Sequence, residues 1–329
     1  DWLNSLVFFR LKNILEFDRR NENMRKRFFI LFTCVFLVSA ALFAGGKSES
    51  GGKDVTLILK NLTNPFFISV KEGAEAAAGE FGLNLTTIAP LKADNNEEQM
   101  QMVEQAIARR TDCLVIIPSD TNGIVPAVEK VYEAGIPIVD LNTKIGGDRV
   151  IWKTFVAIEN YDSGYLATTK LCELMGGSGG FILIEGVPGA QTSIDRIKGS
   201  RDAVAKFPGV KLLASQSANY NRATAMNVVQ NLLQAHPDVK AIFCCNDEMA
   251  LGAVEAVEAA GRQGILIGGV DANADARKAI KDGKMTLSID SQPYVQGYEG
   301  VKAAAQILRG ETVEEHIVPP IALVTKDNS

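Results

Sequence analysis

Amides, hydroxyls and aromatic rings collect at one point near the start of the chain. An apolar run over 55–60 stops at Asn61, and Thr63, Asn64, Phe66 and Phe67 follow at once. Amides hydrogen-bond polar groups in both senses, and aromatic faces cover flat apolar surfaces. That is the chemistry of holding a small molecule rather than of breaking a bond. Five further apolar runs end in the same way. The run 114–117 is followed by Ser119, Asp120, Thr121 and Asn122, and 136–139 by Asp140 and Asn142. Residues 181–184 lead to Glu185, and 241–245 to Asn246, Asp247 and Glu248; 265–267 passes through Gly268, Gly269 and Val270 to Asp271. Each cluster taken alone fits a helix N-cap as well as a ligand contact, because Asn, Asp and Ser cap helices. Their recurrence in both halves, with Tyr220 as a third aromatic, points to a cleft lined from two sides. Arg196 lies near the start of a predicted helix. It reads either as a solvated helix residue or as a guanidinium fork that donates to two hydroxyls at once, with Asp271 as the matching acceptor.

Signals for bond-making chemistry are poor, and the chain is not expected to be an enzyme. The two histidines, His236 and His316, stand away from the polar strand ends. Neither a nucleophile elbow, a phosphate-binding loop nor a dinucleotide fingerprint occurs. Asp247 and Glu248 could be drawn as an acid/base pair, but an Asp opening a helix is usually a cap. Beyond the leader, Cys113, Cys172, Cys244 and Cys245 fall in no Cys-x-x-Cys or Cys/His cluster, so neither a metal site nor a cofactor is expected. Cys113, Cys244 and Cys245 lie in apolar runs, where free Cys packs as a small hydrophobe.

The elements that must place these groups alternate regularly. Strands are predicted at 55–60, 84–89, 113–118, 136–141, 180–185, 211–217, 241–245, 266–270 and 286–289. Helices are predicted at 66–81, 97–109, 124–134, 160–175, 193–206, 222–235, 248–260, 275–282 and 296–308, with a last strand-like pass over 317–324. Such alternation implies an α/β fold with parallel sheets covered by helices. Each half opens with a strand, a polar strand end and a long helix, which predicts two doubly wound lobes. The final passes complete the two sheets, so the chain crosses between lobes near 157–160, 289–292 and 319–323, a three-crossing hinge. The expected division is 54–157 plus 292–321 for the N-terminal lobe and 158–291 plus 322–329 for the C-terminal lobe.

The sequence begins with Asp1, and Met24 is the expected initiator, with residues 1–23 an upstream extension. Arg25 to Arg27 supply a basic head, 28–42 an apolar stretch, and Ala44 a cleavage point, with a cut after Ala41 as the alternative. This is the pattern of a signal peptide over 24–44, followed by a Gly/Ser/Lys-rich tether over 45–53. The apolar stretch is short for a membrane span. Cys34 lies in the middle of it rather than at its end, which argues against lipidation, so a free periplasmic protein is expected. Seven basic and four acidic residues precede the cut, so the remainder is more acidic than the whole chain at −5. An acidic domain without a basic stripe argues against nucleic acid or an anionic membrane as partner.

Several of these segments together resemble the ribose-binding protein family of periplasmic sugar receptors for ABC importers. The resemblance runs over about 53–324. It rests on the segment from Asn61 to Phe67, the run from Ala214 to Arg222 with Tyr220, the run from Asn246 to Gly252, and Asp271 at its strand end. It implies the periplasmic-binding fold, a monosaccharide or polyol ligand, a membrane permease as partner and a monomeric protein. A ligand sensor for a chemoreceptor or histidine kinase is the alternative. Position by position it places Asn64, Phe66, Phe67 and Asn142 on the first lobe's side of the pocket, with Phe66 stacking on a sugar face. Arg196, Tyr220, Asn246 and Asp271 fall on the second side, with a late glutamine falling at Ser291 or Gln292. The pattern departs at Ile117, Ile158 and Thr143, where the family carries polar side chains. Each unmatched ligand hydroxyl would cost on the order of 1–3 kcal/mol, so a sugar other than ribose is expected.

Overall fold

The structure, a computed structural model, describes residues 52–329. The expected upstream extension, signal peptide and most of the tether lie outside the described residues. Among the described residues no helix is long and apolar enough to cross a membrane.

The first series runs β1 (Asp54–Ile58), α1 (Pro65–Phe81), β2 (Asn84–Ile88), α2 (Asn96–Ala108), β3 (Cys113–Ile116), α3 (Val125–Glu133), β4 (Ile138–Leu141) and β5 (Thr154–Val156). The second runs α4 (Asn160–Leu174), β6 (Ser178–Glu185), α5 (Gln191–Val204), β7 (Gly209–Ser217), α6 (Arg222–Ala235), β8 (Val239–Cys244), α7 (Asp247–Ala259), β9 (Leu266–Val270), α8 (Ala274–Lys281) and β10 (Leu287–Asp290). The chain then makes α9 (Pro293–Leu308), β11 (His316–Ile317) and β12 (Ala322–Val324).

Two six-stranded sheets result, in the orders β11-β5-β4-β3-β1-β2 and β12-β10-β9-β8-β6-β7. All pairings are parallel except the antiparallel pair of β10 with β12. Strand order therefore reverses beside β1 in one sheet and beside β6 in the other. In open α/β sheets ligands bind outside the carboxyl ends of the strands at such a reversal. The single pass expected over 317–324 is two short strands, one in each sheet. β5, which the sequence reading did not include, is only three residues long and too short to show a period. The chain passes from one sheet to the other three times, after β5, after β10 and between β11 and β12.

Both sheet faces are covered, which is why the strands read as continuous apolar runs. Leu57 and Leu59 pack on the α1 and α9 side, while Ile58, Leu114 and Ile116 pack toward α2 and α3. The second sheet buries Phe181, Ile182, Leu183, Ile184 and Phe243 on its two faces. Cys113, Cys172, Cys244 and Cys245 are buried free thiols within these layers.

Candidate functional site

Capping chemistry brings the strand ends together. α1 starts on Asn64, whose side-chain oxygen accepts from the Phe66 N–H at 2.9 Å, with Pro65 opening the helix. Asn61 accepts from the Asn64 N–H at 2.9 Å and fixes the loop before it. α7 starts on Asn246, whose oxygen accepts from Met249 N–H at 3.0 Å. In both amides the cap consumes the oxygen and leaves the NH2 group as a donor, and both residues line one cavity of about 590 Å³ between the two sheets.

Eight of the ten residues expected from the sequence lie on that cavity's wall: Asn64, Phe66, Phe67, Asn142, Arg196, Tyr220, Asn246 and Asp271. Phe66 and Phe67 meet edge to face at 5.1 Å. Arg196 is buried, with Nε donating to Asn160 Oδ1 at 2.9 Å and Nη1 to the Cys245 carbonyl at 2.6 Å. Two bonds to protein fix the guanidinium plane and leave Nη2 for another acceptor. The Tyr220 hydroxyl pairs with that of Thr192 at 3.2 Å, and burial pushes the phenol's pKa up. Asn142 donates from Nδ2 to Gln296 Oε1 at 3.0 Å.

Ser291 and Gln292 depart from expectation, since neither is on the wall. Ser291 is fully buried behind Asp271 and donates to its Oδ1 at 3.3 Å. Gln292 takes a left-handed backbone (φ 54°, ψ 50°) as the residue before α9. The amide that acts at this crossing is Gln296, which bridges the Ser291 carbonyl at 2.6 Å to Asn142. Ile117 and Ile158 are core residues, and Thr143 is fully buried.

Lys60 and Asp94, both absent from the sequence reading, lie on the wall as well. Lys60 is only 2% exposed, and it lines the cavity together with Asp94. Burial pulls the Lys60 amine down to about 8, against the attraction of Asp94. Burial likewise raises the Asp94 carboxyl, with Lys60 opposing. The only sequence signal was a lone charge at the end of an apolar strand, which also reads as a plain boundary. On the opposite wall burial pushes Asp271 up to about 7, with Arg196 and the Ser291 hydroxyl pulling the other way. Glu248 is held by Arg222 in a fork, at 3.1 and 2.9 Å.

Apart from the Arg222–Glu248 ion pair, the wall offers Lys60 and Arg196 as cationic donors, Asp94 and Asp271 as carboxylate acceptors, asparagine amides that include Asn64 and Asn246, and aromatic faces. The charges balance in number, with Lys60 beside Asp94 and Arg196 beside Asp271, which suits an uncharged molecule with several hydroxyls and an apolar face. The wall carries neither His nor Cys among the described residues. One loop pair also meets across the cleft. Thr121 donates its N–H to the Gly189 carbonyl at 3.1 Å, and its hydroxyl accepts from the Gln191 N–H at 3.0 Å.

Residues 55–312 match the periplasmic binding protein domain. The chain belongs to the periplasmic binding protein family. It is 36% identical over 294 residues to the ribose import binding protein of Salmonella typhimurium, covering 88% of this chain and 97% of that one. A solved ABC transporter solute-binding protein from Actinobacillus succinogenes with bound D-allose matches at a TM-score of 0.79 and 34% identity, covering 84% of this chain and 98% of that one. One from Bacillus halodurans with bound myo-inositol matches at 0.80 and 29%, covering 85% and 97%. These relatives in the periplasmic binding protein family are binding proteins rather than enzymes.

Proposed function

We propose that this periplasmic binding protein is the solute receptor of an ABC importer, capturing a neutral monosaccharide or related polyol and handing it to a membrane permease. The observation that carries this is the facing of Arg196 and Asp271 across one cavity from Phe66 and Phe67. A sugar ring has equatorial hydroxyls for the first pair and an apolar face for the second. The ligand residues are Asn64, Phe66, Phe67, Asn142, Arg196, Tyr220, Asn246 and Asp271, to which Lys60 and Asp94 add a donor and an acceptor. Lys60 and Asp94 offset the hydroxyl partners missing at Ile117 and Thr143, and so favour a sugar other than ribose. The lobes are 54–157 plus 292–321 and 158–291 plus 322–329, and ligand bound to both favours the form in which they meet. Export by the 24–44 leader places the receptor in the periplasm as a monomer.

A thermal-shift screen of residues 45–329 with D-ribose, D-allose, D-fucose, myo-inositol and nucleosides tests the reading, because a ligand that binds only the folded state raises its melting temperature. At least one sugar or polyol is expected to shift it. A shift by a nucleoside and by no carbohydrate sinks the assignment.

A further inference from the structure

A buried carboxylate that is not on the cavity wall stands directly behind Asp271. Asp247 is the first residue of α7 and fully buried. Asn246 already caps this helix, and both hydrogen bonds to the Asp247 oxygens come from outside it. One oxygen accepts the Ser288 hydroxyl at 2.6 Å, and the other accepts the Asn273 N–H at 2.9 Å. The Ser288 oxygen in turn accepts the Ala272 N–H at 3.0 Å. The two backbone amides that follow Asp271 are therefore tied to one carboxylate, one directly and one through a hydroxyl.

That tie falls where the backbone is least comfortable. Asp271 has φ 121° and Ala272 φ 52°, regions that residues with a Cβ rarely adopt. Such conformations persist only where the surroundings over-determine them, and they gather at ligand clamps. Here two further bonds act on the same turn: the Asp271 N–H donates to the Ile289 carbonyl at 2.7 Å, and the Ser291 hydroxyl donates to the Asp271 carboxylate. Gly269 belongs to the same construction, since a Cβ there would run into the Asp247 carboxylate. The strained turn is what carries Asp271 from the end of β9 onto the cavity wall.

We propose that Asp247 and Ser288 form a positioning relay that presents the Asp271 carboxylate to the cavity, so that ligand affinity depends on two residues outside the wall. Its consequence for binding rests on the sugar-receptor reading, whereas its consequence for the backbone does not. The test combines site-resolved amide exchange with calorimetric titration of D-allose and myo-inositol, using Ser288→Ala, Ser288→Thr and Asp247→Asn, with Asp271→Ala as the binding reference. In Ser288→Ala the Ala272 amide is expected to exchange at least about tenfold faster, with Ile267 in the neighbouring strand unchanged, and affinity to fall about tenfold, the effect of one lost buried hydrogen bond. Ser288→Thr keeps the hydroxyl and is expected to restore both. Asp247→Asn turns one acceptor into a donor and is expected to speed exchange at Ala272 or Asn273, which keeps the question open to decision if Ser288→Ala does not fold. Unchanged exchange at both amides, or parental affinity in a folded variant with faster exchange, overturns the relay. If the parent protein binds neither compound, the exchange comparison still decides the relay, and the failure belongs to the choice of ligand class.

Discussion

Lys60 is the residue whose energetics are most exposed to measurement. An ammonium group held away from water favours its neutral form, which is why its pKa falls from 10.5 to about 8. For a depressed lysine the folding cost is present in full below about pH 8 and fades as pH rises toward 10.5, where the unfolded chain also loses the proton. Lys60→Met is therefore expected to raise stability at pH 7 by about 3 kcal/mol while weakening ligand binding, and its gain should shrink above pH 8. Denaturant melts at pH 7 and 10 together with titration of D-allose and myo-inositol check both halves; a variant that is both less stable and a normal binder contradicts the placement. Asp271 carries the opposite sign. Its pKa is raised from 3.8 to about 7 by burial, with Arg196 and the Ser291 hydroxyl opposing and Glu248 and Asp290 adding to the rise. A ligand hydroxyl donating to this group favours the carboxylate, so affinity should fall as pH drops below 7, by up to about tenfold per unit. Calorimetry at pH 8, 6 and 5 in buffers of different ionisation enthalpy reads this as proton release on binding; a flat profile excludes Asp271 as the acceptor. At this scale capping leaves room for ligand contact. Asn64 and Asn246 spend their oxygens on the helix and keep their NH2 groups, so the two readings of the strand ends were never rivals.

Helices in this fold approach each other through glycines, and one such contact governs the site. A Cβ on Gly73 would strike the Tyr294 carbonyl, and one on Gly297 the Val70 carbonyl, so α1 and α9 pack backbone to backbone. The same holds between α4 and α5, where Gly164 lies against the Arg196 carbonyl and Gly199 against that of Tyr161. Arg196 thus owes its position to a residue on another helix. Gly164→Ala must push α5 away, with a stability cost of about 1–3 kcal/mol, and it should weaken ligand binding more than Gly73→Ala, which makes an equal clash far from the guanidinium. Comparing the two variants by melting and by titration separates the effects, and equal binding loss in both would mean that the α4–α5 contact does not set Arg196. None of these contacts was legible in the sequence, because a glycine inside a helix shows neither period nor cap. Long buried strands such as β6 and β8 were legible as apolar runs, and the alternation of elements gave the two sheets. β5, β11 and β12 have two or three residues each, so their pairing depends on partners distant in the chain. Lys60 was missed for a related reason: whether a charge ending a strand faces water or a cavity is decided by the other lobe.

Across the whole molecule, the two lobes meet at the three chain crossings and at Thr121. Among the described residues, Thr121 is hydrogen-bonded to Gly189 in the loop between β6 and α5 and to Gln191 at the start of α5, and the Gly146 N–H donates to its carbonyl at 2.7 Å within its own lobe. A Cβ on Gly189 would meet the Asp120 carboxylate, so the loops interlock closely. A bond between lobes exists only in the arrangement where the lobes touch, so removing it destabilises that arrangement and leaves a separated one unaffected. By linkage, a ligand that needs both walls loses the same free energy. Thr121→Val keeps the shape and deletes the acceptor for the Gln191 N–H. It is expected to leave the melting temperature of the sugar-free protein nearly unchanged, because each lobe keeps its own core. It should weaken sugar binding about threefold to tenfold, the worth of one hydrogen bond, through faster dissociation. Stopped-flow dissociation and equilibrium titration on the same samples check this. Unaltered dissociation, with an unaltered melt, would mean that Thr121 lies apart in the bound form and that the lobes are held only by the ligand and the crossings.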